Sequence, residues 1–302
     1  MHDPAAAAVS NKLLLGLIGS GIQRSLTPAM QEEEARQHGL NLHYQLIDLA
    51  NTNSGVEVLP TLIAAARTMG FAGLNITYPC KQAVIALLDD LSEEARAMGA
   101  VNTVVNRGGK LTGHNTDGSG WAWGFRRTLP NADLSRVVLL GAGGAGSAIA
   151  HAVLRLGAAR LVIVDREAQR AQDAAQSLNA VHGGQRGKEP GGQRVTASTD
   201  TAAALRGATG LIHATPTGMD KLPGMPLPED LLRPDLWVAE IVYFPIQTAL
   251  LKAARARGCP TVDGGTMAVG QAIGAFELFT GRKADPARVE VHFRRLIARG
   301  DL

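Results

Sequence analysis

The sequence predicts an α/β protein built from two units, and three observations predict it. The chain has 302 residues, 45% of them hydrophobic, which fits about two domains of ordinary size with real cores. Short apolar runs of strand length alternate with segments of helix-forming composition along nearly the whole chain, the pattern of a largely parallel sheet covered by helices. A fresh series of strand, turn and helix begins near residue 116. Aromatic residues make up only 4%, so Ala, Leu, Val and Ile must fill the cores.

Taken in order, residues 13–18 form an apolar run that stops at Gly19-Ser20-Gly21, a buried strand ending in a loop. Thr27 caps and Pro28 opens a helix over 28–38, which Gly39 ends. A strand is expected at 43–49, a helix at 57–69 and a third strand at 73–77. Pro79 opens a helix through Leu88, and another follows at 92–98. Residues 101–107 and 110–114 read as a strand pair around Gly108-Gly109. In the second unit a helix over 118–128 precedes a strand at 136–140, a Gly-rich turn at 141–146 and a helix to about 156. A strand at 160–164 and a helix at 166–178 come next. Residues 182–194, rich in Gly, Gln, Arg and Lys without periodicity, read as a flexible surface insertion. Strands are expected at 194–197, 210–213 and 237–241. Helices at 269–280 and 286–299 fall after the second sheet is complete, so they are free to return to the first unit.

Several function classes are disfavoured at once. The net charge is only +3 and its basic residues are scattered, without the stripe that tracks phosphates, so nucleic acid is not an expected partner. Cys80 and Cys259 are the only cysteines, and they form neither a disulfide framework nor a zinc pattern. No His, Cys or Asp cluster has metal-ligand spacing. No apolar run approaches the ~20 residues that span a bilayer. Residues 1–11 are Ala-rich without the features of a signal peptide and read as a frayed lead-in. The expected location is the cytoplasm.

The turn Gly141-Ala142-Gly143-Gly144-Ala145-Gly146 directly follows a strand and opens a helix. Gly141 permits the tight turn and Gly143 lets backbone approach a pyrophosphate. Gly146 lets helix and strand pack closely, with the helix N-terminus facing the phosphates. Gly144 and Ala145 complete this cradle for a dinucleotide. Asp165 stands 24 positions after Gly141, at the end of the next strand. There a carboxylate accepts hydrogen bonds from ribose hydroxyls and repels a 2′-phosphate, which favours NAD over NADP. Asp165 can also be read as the cap of the following helix. Arg166 beside it can stack on adenine or grip a phosphate, so NADP stays open.

Three further segments bring polar residues to strand ends. Ser25 and Thr27 precede a helix, where two hydroxyls and free N–H groups can hold a carboxylate; a cap with a local hydroxyl turn is the plainer reading. Lys81 follows Pro79 at an expected helix start, where the dipole disfavours a cation and so suits a general base; a solvated lysine is the alternative. Asn102 and the run His114-Asn115-Thr116-Asp117-Gly118 form the third. Asp117 can cap its helix or pair with Lys81.

Together these segments resemble the shikimate dehydrogenases and their quinate/shikimate relatives. The matching motifs lie at 25–28, 75–81, 100–103, 115–118, 141–146, 214–219 and 270–272, in unbroken order over about 13–297. The resemblance implies a smaller α/β substrate-binding catalytic domain at 12–115, to which helices in 271–302 return. It also implies a Rossmann-type, doubly wound dinucleotide-binding domain at 116–270, with substrate in the cleft between the two. By that resemblance Lys81 and Asp117 are the catalytic pair, and Ser25 and Thr27 hold the substrate carboxylate. Thr77, Asn102, Asp117 and Gln271 contact ring hydroxyls. Thr215, Met219 and Gly264 line the nicotinamide side, and Tyr243 faces the substrate.

Two departures from the family pattern matter. Thr27 stands where a second serine is usual and Gln31 where a histidine is common. Asp165-Arg166-Glu167 replaces the Asn-Arg-Thr that more often accompanies NADP. Both point to an NAD-linked quinate/shikimate enzyme. The rivals are an NADP-linked biosynthetic shikimate dehydrogenase, a non-catalytic nucleotide-sensing module on the same fold, and a reductase of an unusual ring. Oligomeric state is not legible.

Overall fold

Two six-stranded sheets organise the described residues. The structure is a computed structural model that describes residues 12–182 and 193–299. The expected lead-in at 1–11 and most of the expected insertion, 183–192, lie outside the described residues. One unit runs to Asn115 and resumes at Ala272; the other is Thr116–Gln271.

The first unit contains β1 (Lys12–Gly19), α1 (Thr27–Gln37), β2 (Asn41–Asp48), α2 (Leu59–Thr68), β3 (Gly73–Ile76), β4 (Asp90–Leu91), α3 (Glu93–Met98), β5 (Thr103–Arg107) and β6 (Lys110–His114). Its sheet order is β2-β1-β3-β5-β6-β4. β1 pairs in parallel with β2 and β3, whereas β5 runs antiparallel to both β3 and β6. This sheet is therefore mixed at β5 alone, while β1 with β2 and β3, and β4 with β6, keep the expected parallel pairing. The β5–β6 reversal is the strand pair expected around Gly108-Gly109: both glycines take positive φ, and a link that short can only reverse the chain. The apolar stretch of β1 buries Leu15, Leu17 and Ile18.

Two helix starts differ from expectation. α1 begins one residue early, with Leu26 at the N-cap, no side-chain cap and Thr27 already helical. The helix expected from Pro79 to Leu88 is absent; a short 3-10 turn spans Ala83–Leu87 instead. The reason lies in the backbone, where Cys80 N–H bonds Thr77 O in a turn and Lys81 O accepts Val101 N–H.

The second unit contains α4 (Asp117–Thr128), β7 (Arg136–Leu140), α5 (Gly144–Arg155), β8 (Arg160–Val164), α6 (Ala168–His182), β9 (Val195–Ser198), α7 (Thr201–Leu205), β10 (Gly210–His213), β11 (Trp237–Glu240), α8 (Ala249–Ala256) and β12 (Thr261–Val262). The order β12-β11-β10-β7-β8-β9 is parallel throughout. It is the doubly wound order, with its switch point between β7 and β10. Both faces are covered: Val137 and Leu139 join one apolar cluster, Val138 and Leu140 the other, as alternating side chains of a buried strand require. The unit boundary falls inside α9 (Gly264–Thr280), and α10 (Pro286–Arg299) follows.

In the first unit α10 is fastened to α1 by charge. Arg288 forks onto Glu34 at 2.6 and 2.8 Å, while the Asp285 N–H and His38 hydrogen-bond the same carboxyl group. Burial works against ionisation of Glu34, yet these partners hold its carboxyl below the usual range. Such a pair rewards intact geometry and penalises loss of either partner.

Candidate active site

In the first unit, the sequence places its polar residues at the carboxyl ends of β1 and β3. Ser25 Oγ accepts the Thr27 N–H at 3.3 Å, so the hydroxyl turn exists, with both residues half-buried. Thr77 follows β3, its N–H bonded to Ile18 O, and Lys81 lies four residues on. Asn102 enters β5 beside the end of β3, and its carbonyl accepts the Ile76 N–H. Lys81 occupies a turn, so it does not stand at the helix start expected for it and no helix dipole disfavours its charge there. Gln31 is buried and donates to Ala272 O at 2.9 Å.

Two supporting sets escaped the sequence reading. Asp48, at the end of β2, accepts the Gly21 and Ile22 N–H groups at 2.8 and 3.1 Å and so fixes the loop that leads to Ser25. Burial raises the cost of its charge, but the Gln23 amide and three backbone N–H groups keep the Asp48 carboxyl below its ordinary range. Buried Tyr44 donates to Asn75 Oδ1 at 2.7 Å, Asn75 donates to Thr103, and Thr103 donates to Asn102 Oδ1 at 2.9 Å. This chain of donors orients the Asn102 amide with Nδ2 away from Thr103.

In the second unit the glycine turn meets its steric test. Gly141 has φ +99°, and a Cβ at Gly146 would stand 2.0 Å from Gly141 O, so neither tolerates a side chain. At Gly143 and Gly144 a Cβ would meet nothing within 4 Å; the open space lies over the uncapped N-terminus of α5, where a pyrophosphate would lie. A cavity of about 540 Å³ is lined by Gly141, Gly143, Asp165, Arg166, Arg170 and Thr215. A second, of about 350 Å³, is lined by Ala145, Thr215, Met219, Ile241 and Tyr243. The residues present therefore fit a dinucleotide. Burial pushes the Tyr243 phenol up. Gly264 sits against the Ile241 and Val242 carbonyls, 2.4 and 2.6 Å from where its Cβ would be, a packing role at the start of α9. Asp117 is the first residue of α4, after Thr116 at the N-cap, so it does not cap the helix. Its Oδ1 accepts Gln271 Nε2 at 2.7 Å within this unit. Among the described residues no group of three or more His, Cys, Asp or Glu is placed to hold a metal. No described helix is long and apolar enough to cross a membrane.

A doubly wound sheet with a glycine turn, an acidic strand end and two adjoining cavities defines a dinucleotide-binding oxidoreductase fold. Residues 17–104 match the family described as the shikimate dehydrogenase substrate binding domain. The chain is 54% identical over 277 residues to "Shikimate dehydrogenase (NADP(+))" of Streptomyces avermitilis, covering 91% of this chain and 93% of that one. It is 45% identical over 289 residues to "Quinate/shikimate dehydrogenase (NAD(+))" of Corynebacterium glutamicum, covering 95% and 100%. A solved quinate dehydrogenase of Corynebacterium glutamicum in complex with NAD superposes with a TM-score of 0.87 at 44% identity, over 94% of this chain and 99% of the other. The chain belongs to the shikimate/quinate dehydrogenase family, whose members are oxidoreductases acting on CH–OH groups.

Proposed function

We infer that this chain is an NAD-linked quinate/shikimate dehydrogenase that reversibly oxidises a ring hydroxyl to the 3-dehydro compound. The observation that carries the NAD assignment is the Asp165 carboxylate, at the end of β8 in a cavity it shares with Gly141 and Gly143. A carboxylate there accepts from a ribose diol and repels a 2′-phosphate.

The residues divide the work. Ser25 and Thr27 hold the substrate carboxylate, and Thr77, Asn102, Tyr243 and Gln271 contact the ring and its hydroxyls. Lys81 accepts the proton of the reacting C–OH during oxidation and returns it during reduction. Asp117, whose Oδ1 already accepts from Gln271, hydrogen-bonds the substrate and orients Lys81. A bound nicotinamide dinucleotide supplies the hydride acceptor. The substrate domain is residues 12–115 with helices from 271 on, and 116–270 is the dinucleotide domain. The two free cysteines are buried and fit a reducing cytoplasm; small molecules, not nucleic acid, are the partners.

One observation favours a second reading, NADP-linked shikimate oxidation: Arg166 and Arg170 line the same cavity as Asp165 and offer guanidinium groups to a 2′-phosphate. Lys81→Ala tests the chemistry common to both. Its kcat should fall by ~10²-fold or more, the scale of a lost general base, with dinucleotide affinity kept. Near-normal turnover would move the proton transfer to another residue.

A further inference from the structure

Behind the loop that carries Thr215 lies a chain of buried polar contacts with no part in the chemistry above. His213, fully buried at the end of β10, places Nδ1 2.8 Å from Glu240 Oε1 and Nε2 2.6 Å from Thr215 Oγ1. Glu240, equally buried at the end of β11, also accepts the Ile241 and Val242 N–H groups on Oε1 at 2.8 and 3.0 Å. Its Oε2 accepts the Thr248 hydroxyl at 2.9 Å. Thr248 in turn accepts the Leu251 N–H and caps α8.

These contacts fix which nitrogen of a neutral His213 ring carries the proton. Three donors already converge on the Glu240 carboxylate, which has only acceptor capacity left for His213, so Nδ1 carries the ring proton. A neutral imidazole protonated at Nδ1 keeps its lone pair on Nε2, and the Thr215 hydroxyl must donate to it. Thr215 Oγ1 then has no proton to offer any other group. The Thr217 N–H approaches it at 3.4 Å, and Thr215 borders the 350 Å³ cavity beside Met219 and Tyr243.

We propose that His213 and Glu240 are positioning residues that hold Thr215 Oγ1 as a hydrogen-bond acceptor, so that this cavity selects a primary carboxamide through its N–H. The inference rests on the dinucleotide reading above, which brings a nicotinamide carboxamide to this cavity. An acceptor at Thr215 favours that amide over a methyl ketone of the same shape, because the ketone brings no proton.

Two measurements test the relay. Long-range proton–nitrogen NMR of the protein with isotope-labelled histidine reports the tautomer of His213, assigned by loss of its signals in His213→Asn. A ring protonated at Nδ1 alone is expected at neutral pH, with and without NAD; a proton on Nε2 overturns the proposal, since Thr215 would then be free to donate. The second measurement is the affinity of NAD and of its acetylpyridine analogue for the wild type, His213→Asn, Thr215→Val and the double variant. Asparagine keeps a donor for Glu240 without reaching Thr215. The preference for NAD over the analogue should fall about tenfold in each single variant, the scale of one hydrogen bond, and no further in the double. Retention of the full preference in His213→Asn, with normal NAD binding, overturns the relay alone. A wild type that binds neither dinucleotide overturns the dehydrogenase reading, and the relay with it.

Discussion

Asp165 Oδ2 accepts the Ala142 N–H at 2.9 Å and so ties the end of β8 to the glycine turn after β7. Its Oδ1 takes the Glu167 N–H at 3.0 Å, and the Arg170 guanidinium stands 3.8 Å away. The carboxylate assigned to the ribose is thus also a brace of the phosphate-binding turn. Burial opposes its charge, but the two N–H groups with Arg170 and Arg166 hold the Asp165 carboxyl below the usual range. The stability this provides is present above the ordinary carboxylate pKa and is lost as pH falls through the lowered one.

Asp165→Asn should therefore act twice. One amide N–H₂ must face a backbone N–H, which lowers Tm by a few degrees, on the order of 1 kcal/mol. With the negative charge gone, NAD should bind more weakly and the penalty against NADP should ease by about tenfold. Dinucleotide titration of both forms checks this. A lowered Tm with unchanged cofactor preference would leave Asp165 only its bracing role and make Arg166 the residue to test.

Substrate choice is predicted to turn on Thr27. Quinate has a tetrahedral C1 bearing a hydroxyl, whereas shikimate has a flat alkene carbon, so the two differ beside the carboxylate that Ser25 and Thr27 are proposed to hold. One methyl in such a pocket is worth roughly 1–3 kcal/mol of discrimination. Thr27→Ser should shift the ratio of kcat/KM values towards shikimate by about tenfold or more, with Lys81 chemistry intact. Parallel changes for both acids would reduce Thr27 to an ordinary residue of the first turn of α1.

The buried pair His151–His182 predicts a pH dependence unrelated to catalysis. Their ring nitrogens are 2.8 Å apart, between α5 and α6. Burial, then His182 and Arg155, push His151 down to about 4 from an ordinary 6.5; burial with Arg194 and Arg155 also lowers His182. The unfolded chain binds a proton at His151 as pH falls below 6.5, while the folded one resists until about 4, so stability declines across that window and is unaffected above it. The loss should reach about 2 kcal/mol by about pH 5. Urea unfolding at a series of pH values measures it, and His151→Gln should flatten the slope. A variant with the full wild-type slope would assign the effect elsewhere.

The parts legible in the sequence were those governed by neighbours in the chain. β7 and β8 are near-continuous apolar runs, and the glycine turn lies between them in its proper order, so the second sheet could be read almost strand by strand. The two-residue β4 and β12 are too short to show a period, and no helix was read over the short α7 and α8. Pro79 misled for a physical reason: it suits both a first helical turn and a tight turn, and the Cys80–Thr77 hydrogen bond decided for the second. Asp48 clamping the loop after β1, and His213 meeting Glu240, join residues 26 or 27 positions apart. Only strand pairing brings such residues together, and no local spacing announces it.

Initial rates in a two-by-two matrix, quinate and shikimate each with NAD and with NADP, test NAD-linked oxidation of both acids most directly. NAD-dependent oxidation of both acids, with kcat/KM for NAD exceeding that for NADP by about tenfold or more, is the result predicted from Asp165 and Thr27. Oxidation of shikimate alone, supported by NADP in preference to NAD, would contradict it.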